Sequence, residues 1–205
     1  MIISLVNQKG GVGKTTLAIN LASYLVNKRG SKLLLIDADP QESCIQWGKL
    51  AEGPGFDIIG HTAADFHRTL GGLSKGYQHV IIDTPPGVSD TTASVLMVSN
   101  LALIPVTPSL FDMLSTKEMV GVVKEAMSHN PRLGAALVIN KKVVGSVPGR
   151  EVRERLEGFG ISIVKAEIGN RIDFVRGTLD GTSIFKYSAT SKVALELEAL
   201  CKEII

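Results

Sequence analysis

Cysteine is scarce in this sequence of 205 residues, where only Cys44 and Cys201 occur. They show neither a metal-binding spacing nor a disulfide framework, so we expect two reduced thiols in a cytoplasmic protein. No apolar run approaches the roughly 20 residues that a membrane-spanning helix needs. Met1 leads directly into a strand pattern, so we expect no secretory leader. The sequence thus argues against the disulfide-rich secreted class and the helical membrane class.

Aromatic residues and an excess of one charge are also lacking. Aromatics make up 5% of the chain and hydrophobic residues as a whole 44%, which predicts a core of aliphatic side chains. The formal net charge of +2 is too small to indicate a nucleic-acid partner by itself. The length suits one domain, residues 1–205, with a full core.

Short apolar runs alternate with helical patterns along the whole chain. The run over 33–36 has no polar alternation, which is typical of a parallel strand covered on both faces. Strands are predicted over 2–6, 32–36, 56–60, 79–82, 101–106, 135–139 and 161–168. Helices are predicted over 16–28, 43–50, 63–70, 90–99, 115–129, 149–157, 171–179 and 189–205, with Asp90 as a cap. This alternation predicts a doubly wound α/β fold, a mostly parallel sheet with helices on both faces.

A glycine-rich stretch, QKGGVGKTT over 8–16, follows the first strand and precedes the first helix. Its glycines let the backbone turn tightly, so that N–H groups and the helix start can hold a phosphate. In such a loop Lys14 reaches the β- and γ-phosphates and the Thr15 hydroxyl ligates Mg²⁺. The spacing is unusual, because the first glycine of the standard pattern would fall on Gln8. An additional lysine, Lys9, precedes the glycines.

Carboxylates stand at the ends of two predicted strands. Asp37 and Asp39 follow the strand over 32–36, and Asp83 follows the strand over 79–82. Doubly wound sheets place their ligands at the carboxyl ends of strands. An apolar strand that ends in aspartate is also the Walker B arrangement, which holds Mg²⁺ through water. An aspartate pair can instead form a turn or cap a helix, but the upstream loop favours a nucleotide site.

Together these motifs resemble the deviant Walker loop of the ParA/MinD family of P-loop ATPases. The resemblance covers nearly the whole chain and is most specific over 8–16, 37–41 and 83–87. Within the family the chain is most similar to small plasmid-type ParA proteins. The resemblance implies ATP or ADP and Mg²⁺ as cofactors, slow hydrolysis that a partner stimulates, and an ATP-dependent homodimer.

The resemblance also implies roles for individual residues. Lys9 crosses a dimer interface to the partner's nucleotide, Asp39 orients the attacking water, and Asp37 lies nearer the water shell of the metal. The catalytic residues are then Lys9, Lys14 and Asp39, and the metal group is Thr15, Asp37 and Asp83. The nucleotide-binding residues are Lys9, Gly10, Gly11, Val12, Gly13, Lys14, Thr15, Thr16 and Asn140. The switch residues are Asp37, Asp39, Pro40, Gln41, Asp83 and Gly87. For Asn140, whose amide suits an adenine edge, a merely structural strand-end role stays open.

Basic residues are in excess in the C-terminal third. Residues 141–192 contain ten basic and six acidic residues, whereas residues 1–140 contain eleven of each. A solvated helix face explains such an excess equally well. Because members of the resembled family bind DNA without sequence preference through this third, the resemblance implies non-specific DNA as a partner and nucleoid association when ATP is bound. The candidate contacts are Arg150, Arg153, Arg171, Arg176 and Lys186.

The cargo stays open at this point. The first hypothesis is partition of a plasmid or chromosome through a ParB-like activator, and the alternative is another cargo adaptor on a protein organelle or receptor cluster. A MinD-like membrane switch needs a basic amphipathic C-terminal helix. The last predicted helix carries three glutamates against two lysines, so we expect no membrane partner. A small-molecule ligase would need a substrate pocket that the sequence does not reveal.

Overall fold

The computed structural model describes residues 1–143 and 145–205. Its strands are β1 (Ile2–Leu5), β2 (Leu33–Asp37), β3 (Asp57–Gly60), β4 (His79–Asp83), β5 (Leu101–Val106), β6 (Gly134–Ile139) and β7 (Ser162–Ile163). Its helices are α1 (Lys14–Arg29), α2 (Ser43–Leu50), α3 (Phe66–Leu73), α4 (Asp90–Val98), α5 (Leu110–His129), α6 (Val147–Glu157), α7 (Ile172–Leu179), α8 (Ile184–Tyr187) and α9 (Lys192–Ile204). None of the helices in the described part is both long and apolar enough to cross a membrane.

The strands form one sheet in the order β3-β2-β4-β1-β5-β6-β7. Every neighbouring pair is parallel. The direction of winding reverses at β1, because the chain first builds the β3 edge and then, after β4, the β7 edge. The predicted doubly wound parallel sheet is thus confirmed. Sheets of this kind bind ligands beyond the carboxyl ends of their strands at the reversal point, which here lies at β1.

Side chains of the central strands alternate between two covered faces. Leu33 and Leu35 pack with residues of α1, α2 and α9, whereas Leu34 and Ile36 pack with residues of α3 and α4. Further along the second face, β5 and β6 pack against α4, α5 and α6. Both faces are therefore buried, which explains the continuous apolar run over 33–36.

Helix starts differ from those predicted, because side-chain caps set several of them. Ser89 rather than Asp90 caps α4: its hydroxyl accepts the N–H of Thr92 at 3.1 Å, and Asp90 is the first helical residue. The helices predicted to begin at 16, 63, 115, 149 and 189 begin at Lys14, Phe66, Leu110, Val147 and Lys192.

The last predicted strand, over 161–168, is reduced to two residues. Only Ser162 and Ile163 pair with β6. Farther along, the Glu203 carboxylate accepts the N–H of Lys165 at 2.7 Å and of Ala166 at 3.1 Å. A side chain of α9 thus replaces a neighbouring strand as the partner of this backbone, which sequence pattern alone does not show.

Gly181 permits a test of packing between the α7–α8 turn and the end of α2. Its φ is +61°, and a Cβ there would lie 2.6 Å from the Leu50 carbonyl oxygen. Gly30 has a φ of +62° with open space around the same position. We expect Gly30→Ala to lower the free energy of unfolding by about 1–2 kcal/mol, the cost of the left-handed backbone alone. Gly181→Ala should cost more because a backbone clash is added. Urea unfolding measures both, and equal losses would contradict this packing.

Candidate functional site

The glycine-rich loop leaves β1 and ends at the first residue of α1. Gly11 and Gly13 have φ values of +76° and +97°, a region that favours glycine. Gly13 is the N-cap of α1; within the described chain no side chain caps this end, and the first turn holds no acidic residue. The N–H groups and the helix dipole are therefore available to an anion.

Lys14 is buried beneath this loop. The residue is only 7% exposed. Its side-chain Nζ donates a hydrogen bond to the Lys9 carbonyl oxygen at 3.4 Å. Burial lowers the pKa of Lys14, and the Asp83 and Asp39 carboxylates oppose that shift. A phosphate at the loop would give this ammonium the charge-assisted partners that its buried position favours.

Asp83 ends β4 directly beside Thr15. The Thr15 hydroxyl donates to Asp83 Oδ2 at 2.6 Å. The other oxygen, Oδ1, is buried and has no hydrogen-bond partner among the described residues. Burial raises the pKa of Asp83 to about 7, although the Thr15 hydrogen bond and Lys14 act in the opposite direction. A cation beside Oδ1 would satisfy that oxygen and stabilise the charged form, so the predicted pair of hard oxygen donors fits Mg²⁺.

Asp37 neighbours Asp83 because β2 and β4 pair in register at these two residues. Its Oδ2 accepts the N–H groups of Cys44 at 2.8 Å and Ile45 at 3.1 Å, and its Oδ1 accepts the N–H of Asp39 at 3.2 Å. Burial raises the pKa of Asp37, and these backbone hydrogen bonds oppose the shift. The structure therefore brings Asp37 to the predicted metal region and also gives it the turn and capping role that the sequence left open.

The two predicted switch segments follow β2 and β4, which lie on the same side of β1 in the sheet. Asp39 is half-buried, its Oδ1 accepts the N–H of Gln41 at 2.9 Å, and Pro40 and Gln41 are exposed. In the second segment Gly87 has a φ of +97°. A Cβ built on Gly10 would lie 4.0 Å from Pro86 Cβ, so this segment reaches the loop. The switch role of both segments stays a prediction.

Lys9 forms an ion pair with Asp112 of the same chain. Asp112 also accepts a hydrogen bond from the Thr107 hydroxyl, and its side chain is only 10% exposed, against 43% for Lys9. Sequence analysis missed Asp112. Since 103 positions separate the two residues, no local pattern could have paired them. The structure thus directs the additional lysine toward its own β5–α5 junction.

Asn140 and Lys141 follow β6 and hold the loop from the other side. Asn140 Nδ2 donates to the Val12 carbonyl oxygen at 2.7 Å, and Lys141 Nζ donates to the Gly11 carbonyl oxygen at 2.7 Å. Asn140 is 4% exposed. Its amide nitrogen therefore holds the phosphate loop, which agrees with the structural role that the sequence left open for Asn140.

A cavity of about 290 Å³ adjoins the loop on the Asn140 side. Besides Gly13, Thr16 and Asn140, its lining includes Leu17, Arg171, Phe174, Val175 and Leu179. An apolar cavity with a few polar groups beside a phosphate loop suits a nucleoside base. Sequence analysis did not predict that α7 lines this cavity, because the sequence of α7 indicates only a helix.

Two of the five candidate DNA contacts are held in ion pairs. Arg153 pairs with Glu167 at 3.0 Å and Arg171 with Glu196 at 2.9 Å. A DNA phosphate would have to compete with a glutamate for either side chain, so these two offer less free charge than the sequence suggests. The other candidates, Arg150, Arg176 and Lys186, are exposed. DNA contact stays a prediction for all five.

Comparison with known families agrees with this geometry. A family model described as the CobQ/CobB/MinD/ParA nucleotide binding domain matches residues 3–184. This chain therefore belongs to the CobQ/CobB/MinD/ParA family of nucleotide-binding domains. The resemblance to the ParA/MinD members, recognised from the loop and its lysine, is confirmed.

Individual relatives match along nearly their whole length. Maintenance of carboxysome distribution protein A of Gloeobacter kilaueensis is 33% identical over 97% of this chain and 89% of its own. The chromosome-partitioning ATPase Soj of Thermus thermophilus is 26% identical over 99% of this chain and 94% of its own. The septum site-determining protein MinD of Pyrococcus horikoshii, solved with Mg-ADP, has a TM-score of 0.79 and 23% identity, with 99% and 95% coverage. The last comparison shows a shared fold.

The close approach of Gly13 to Asn140 allows a test of how the phosphate loop contributes to ATP binding. A Cβ on Gly13 would lie 2.3 Å from Asn140 Nδ2, whereas a Cβ on Gly11 would meet nothing within 4 Å, and both glycines have a positive φ. We expect Gly13→Ala to weaken ATP binding about tenfold to hundredfold, since overpacking costs about 1–3 kcal/mol. Gly11→Ala should weaken it less. Calorimetric titration with ATP measures both, and equal affinities would show that the Asn140 contact does not matter.

Proposed function

We propose that this chain is an ATPase that dimerises on ATP, then binds DNA without sequence preference and positions a cargo through partner-stimulated hydrolysis. The observation that carries the proposal is the Lys9–Asp112 ion pair. Lys14 and Thr15 already supply the phosphate and metal contacts within one chain, so Lys9 is not needed there. Its ammonium lies in a pair that is partly exposed and can be exchanged for an anion of another subunit.

The cofactors in this proposal are ATP or ADP and Mg²⁺. Residues 10–16 would hold the phosphates through backbone N–H groups and Lys14, and the base would enter the cavity beside α7. Thr15 and Asp83 would hold Mg²⁺, with Asp37 near its water shell. When bound, the ion neutralises phosphate charge during phosphoryl transfer.

Asp39 is the residue that we propose orients the attacking water. The Asp39 carboxylate acts on the ammonium of the phosphate loop, since it opposes the burial-induced lowering of the pKa of Lys14. Its own carboxylate is held by one local backbone N–H, that of Gln41. The position of Asp39 thus depends on the conformation of an exposed loop. Hydrolysis would stay slow until an activating partner orders that loop.

Dimerisation follows from an exchange of partners by Lys9. In the dimer Lys9 would leave Asp112 and reach a phosphate of the other subunit. The ammonium stays paired with an anion throughout, and the new pair exists only while the partner holds its nucleotide. This links the nucleotide state to the oligomeric state, because a ligand stabilises the form that binds it.

DNA binding is proposed for the exposed cations of the C-terminal third, Arg150, Arg176 and Lys186. A dimer presents each of them twice, so affinity for DNA should rise steeply on dimerisation and fall with salt. A membrane-switch role receives less support, because Val193, Leu197 and Leu200 of the last helix are buried in the core. We therefore propose a cytoplasmic protein that joins the nucleoid when ATP is bound.

The cargo has two candidates. Partition of a plasmid or chromosome by way of a ParB-like activator is the first. The 33% identical relative whose name refers to carboxysome distribution favours a second, the positioning of a protein organelle through a different adaptor. Imaging a fluorescent fusion together with plasmid loci and with large protein assemblies would separate them, because the ATPase should follow only its own cargo.

Two lysine substitutions separate binding from dimerisation. We expect Lys14→Ala to weaken ATP binding by about a hundredfold or more, since it removes a buried charge pair worth about 2–5 kcal/mol. Lys9→Ala should leave ATP binding close to that of the unmodified chain but abolish the ATP-dependent dimer. Fluorescent-nucleotide titration and sedimentation measure the two effects, with the exposed Lys75→Ala as the control. An ATP dimer that survives Lys9→Ala would refute the exchange.

The DNA step is tested with random-sequence duplex DNA and no nucleotide, ADP or ATP, at two salt concentrations. We expect binding with ATP alone, and weaker binding at the higher salt because counterions are released from phosphates. The double substitution Arg176→Ala and Lys186→Ala should weaken it, whereas Lys75→Ala should not. Binding that is absent in every state, or equal in all of them, would remove the DNA-carrier function.

A further inference from the structure

Three side chains with metal-binding atoms converge in the interior behind the phosphate loop. One ligand atom from each of Asp37, Cys44 and Asp83 lies within 4.8 Å of the others. The three residues are 1%, 0% and 1% exposed. Lys14 offsets part of the charge of Asp83, but two carboxylates and a thiol in one buried position still favour a cation, because burial of an anion away from water is costly.

Cys44 is not accounted for by the proposed ATPase. It is the second residue of α2, its N–H donates to Asp37 Oδ2 at 2.8 Å, and its Sγ donates to Asp83 Oδ2 at 3.5 Å. The phosphate and Mg²⁺ contacts proposed above use oxygen atoms of Thr15 and Asp83 and have no part for a thiol. Burial and the Asp83 and Asp37 carboxylates raise the pKa of the Cys44 thiol, so its sulfur stays protonated until a cation displaces the proton.

Asp83 Oδ1, the oxygen assigned above to Mg²⁺, is equally open to a competing cation. It is buried and, among the described residues, accepts no hydrogen bond. The Thr15 hydroxyl and the Cys44 thiol both lie on the other oxygen, Oδ2. One oxygen of the cluster therefore keeps its lone pairs free, which is unusual for a buried carboxylate.

We propose that Asp37, Cys44 and Asp83 form a binding site for a thiophilic divalent cation of the Zn²⁺ and Cd²⁺ class. Thiolate ligands select such ions, whereas Mg²⁺ takes oxygen ligands. Ligands at about 2.0–2.3 Å from a tetrahedral ion lie roughly 3.3–3.8 Å apart. Cys44 Sγ and Asp83 Oδ2 are already 3.5 Å apart, and the other separations, all within 4.8 Å, would close by about 1 Å at most. On binding, the S–H bond of Cys44 breaks, a sulfur–metal bond forms, and the proton is released to solvent.

Such a site would inhibit the ATPase, a consequence that rests on the proposed function. The same Asp83 carboxylate serves Thr15 and, in the proposal, Mg²⁺. A thiophilic ion that draws Asp83 toward Cys44 would compete with both. Hydrolysis should then fall when Zn²⁺ is added at constant Mg²⁺ and ATP, and Cys44→Ser should remove that sensitivity.

The site itself is tested without nucleotide, so that its failure can be told apart from failure of the proposed function. Reduced protein is titrated with Cd²⁺ while the thiolate-to-cadmium charge-transfer band in the ultraviolet is recorded. We expect a band that saturates at one ion per chain, is lost in Cys44→Ser and is kept in Cys201→Ser. The second variant is the matched control, because Cys201 is also fully buried but belongs to α9.

Two results would overturn the site. One is the lack of a saturable band in the unmodified protein, and the other is a band of equal strength and affinity in Cys44→Ser. Urea unfolding of both serine variants shows whether each is folded. If Cys44→Ser does not fold, Asp83→Asn takes its place: the cadmium affinity should fall about tenfold or more with the loss of one ligand, and an unchanged affinity would refute the site.

Discussion

The parallel register of three central strands is the constraint on which the rest of the site depends. Val80 to Asp83 of β4 pair with β1 on one side and with β2 on the other, so Leu5, Asp37 and Asp83 end at one level. A shift of one residue would turn the apolar side chains of these strands from one face to the other. Because both faces are covered by helices, packing holds the register. The same packing sets Asp37 and Asp83 beside the loop that leaves β1.

This arrangement buries more negative charge than the chain itself neutralises. Burial raises the pKa of both Asp37 and Asp83, and the buried Lys14 opposes that shift at Asp83. The core would lose little by replacing such groups with apolar ones, so they are better explained by a ligand than by stability. Hydrogen bonds hold two parts of the site in place: Asp37 accepts three backbone N–H groups, and Asn140 and Lys141 donate to the loop.

The local sequence pattern predicted the fold class and the strands that carry the site. Continuous apolar runs and glycine-rich turns can be read from it because they depend on residues that are neighbours in sequence. It was less accurate at boundaries. Asp90 was expected to cap α4, but the competing hydroxyl of Ser89 does so. The strand predicted over 161–168 pairs at only two residues, because the Glu203 side chain takes over the backbone of Lys165 and Ala166. A neighbouring side chain, that of Ser89, decided the first outcome, and a distant one, that of Glu203, limited the second.

The sequence by itself determined the chemistry available to this protein: a phosphate loop with two lysines, a threonine for a metal, and aspartates at the ends of buried strands. Those features are local, since spacing and backbone preference define them. Only the tertiary structure decided which groups meet. Lys9 pairs with Asp112 across 103 positions and Asn140 holds Val12 across 128, while Cys44 joins the two buried aspartates. Contacts of such separation are set by how helices pack on the sheet, and no short stretch of sequence encodes them.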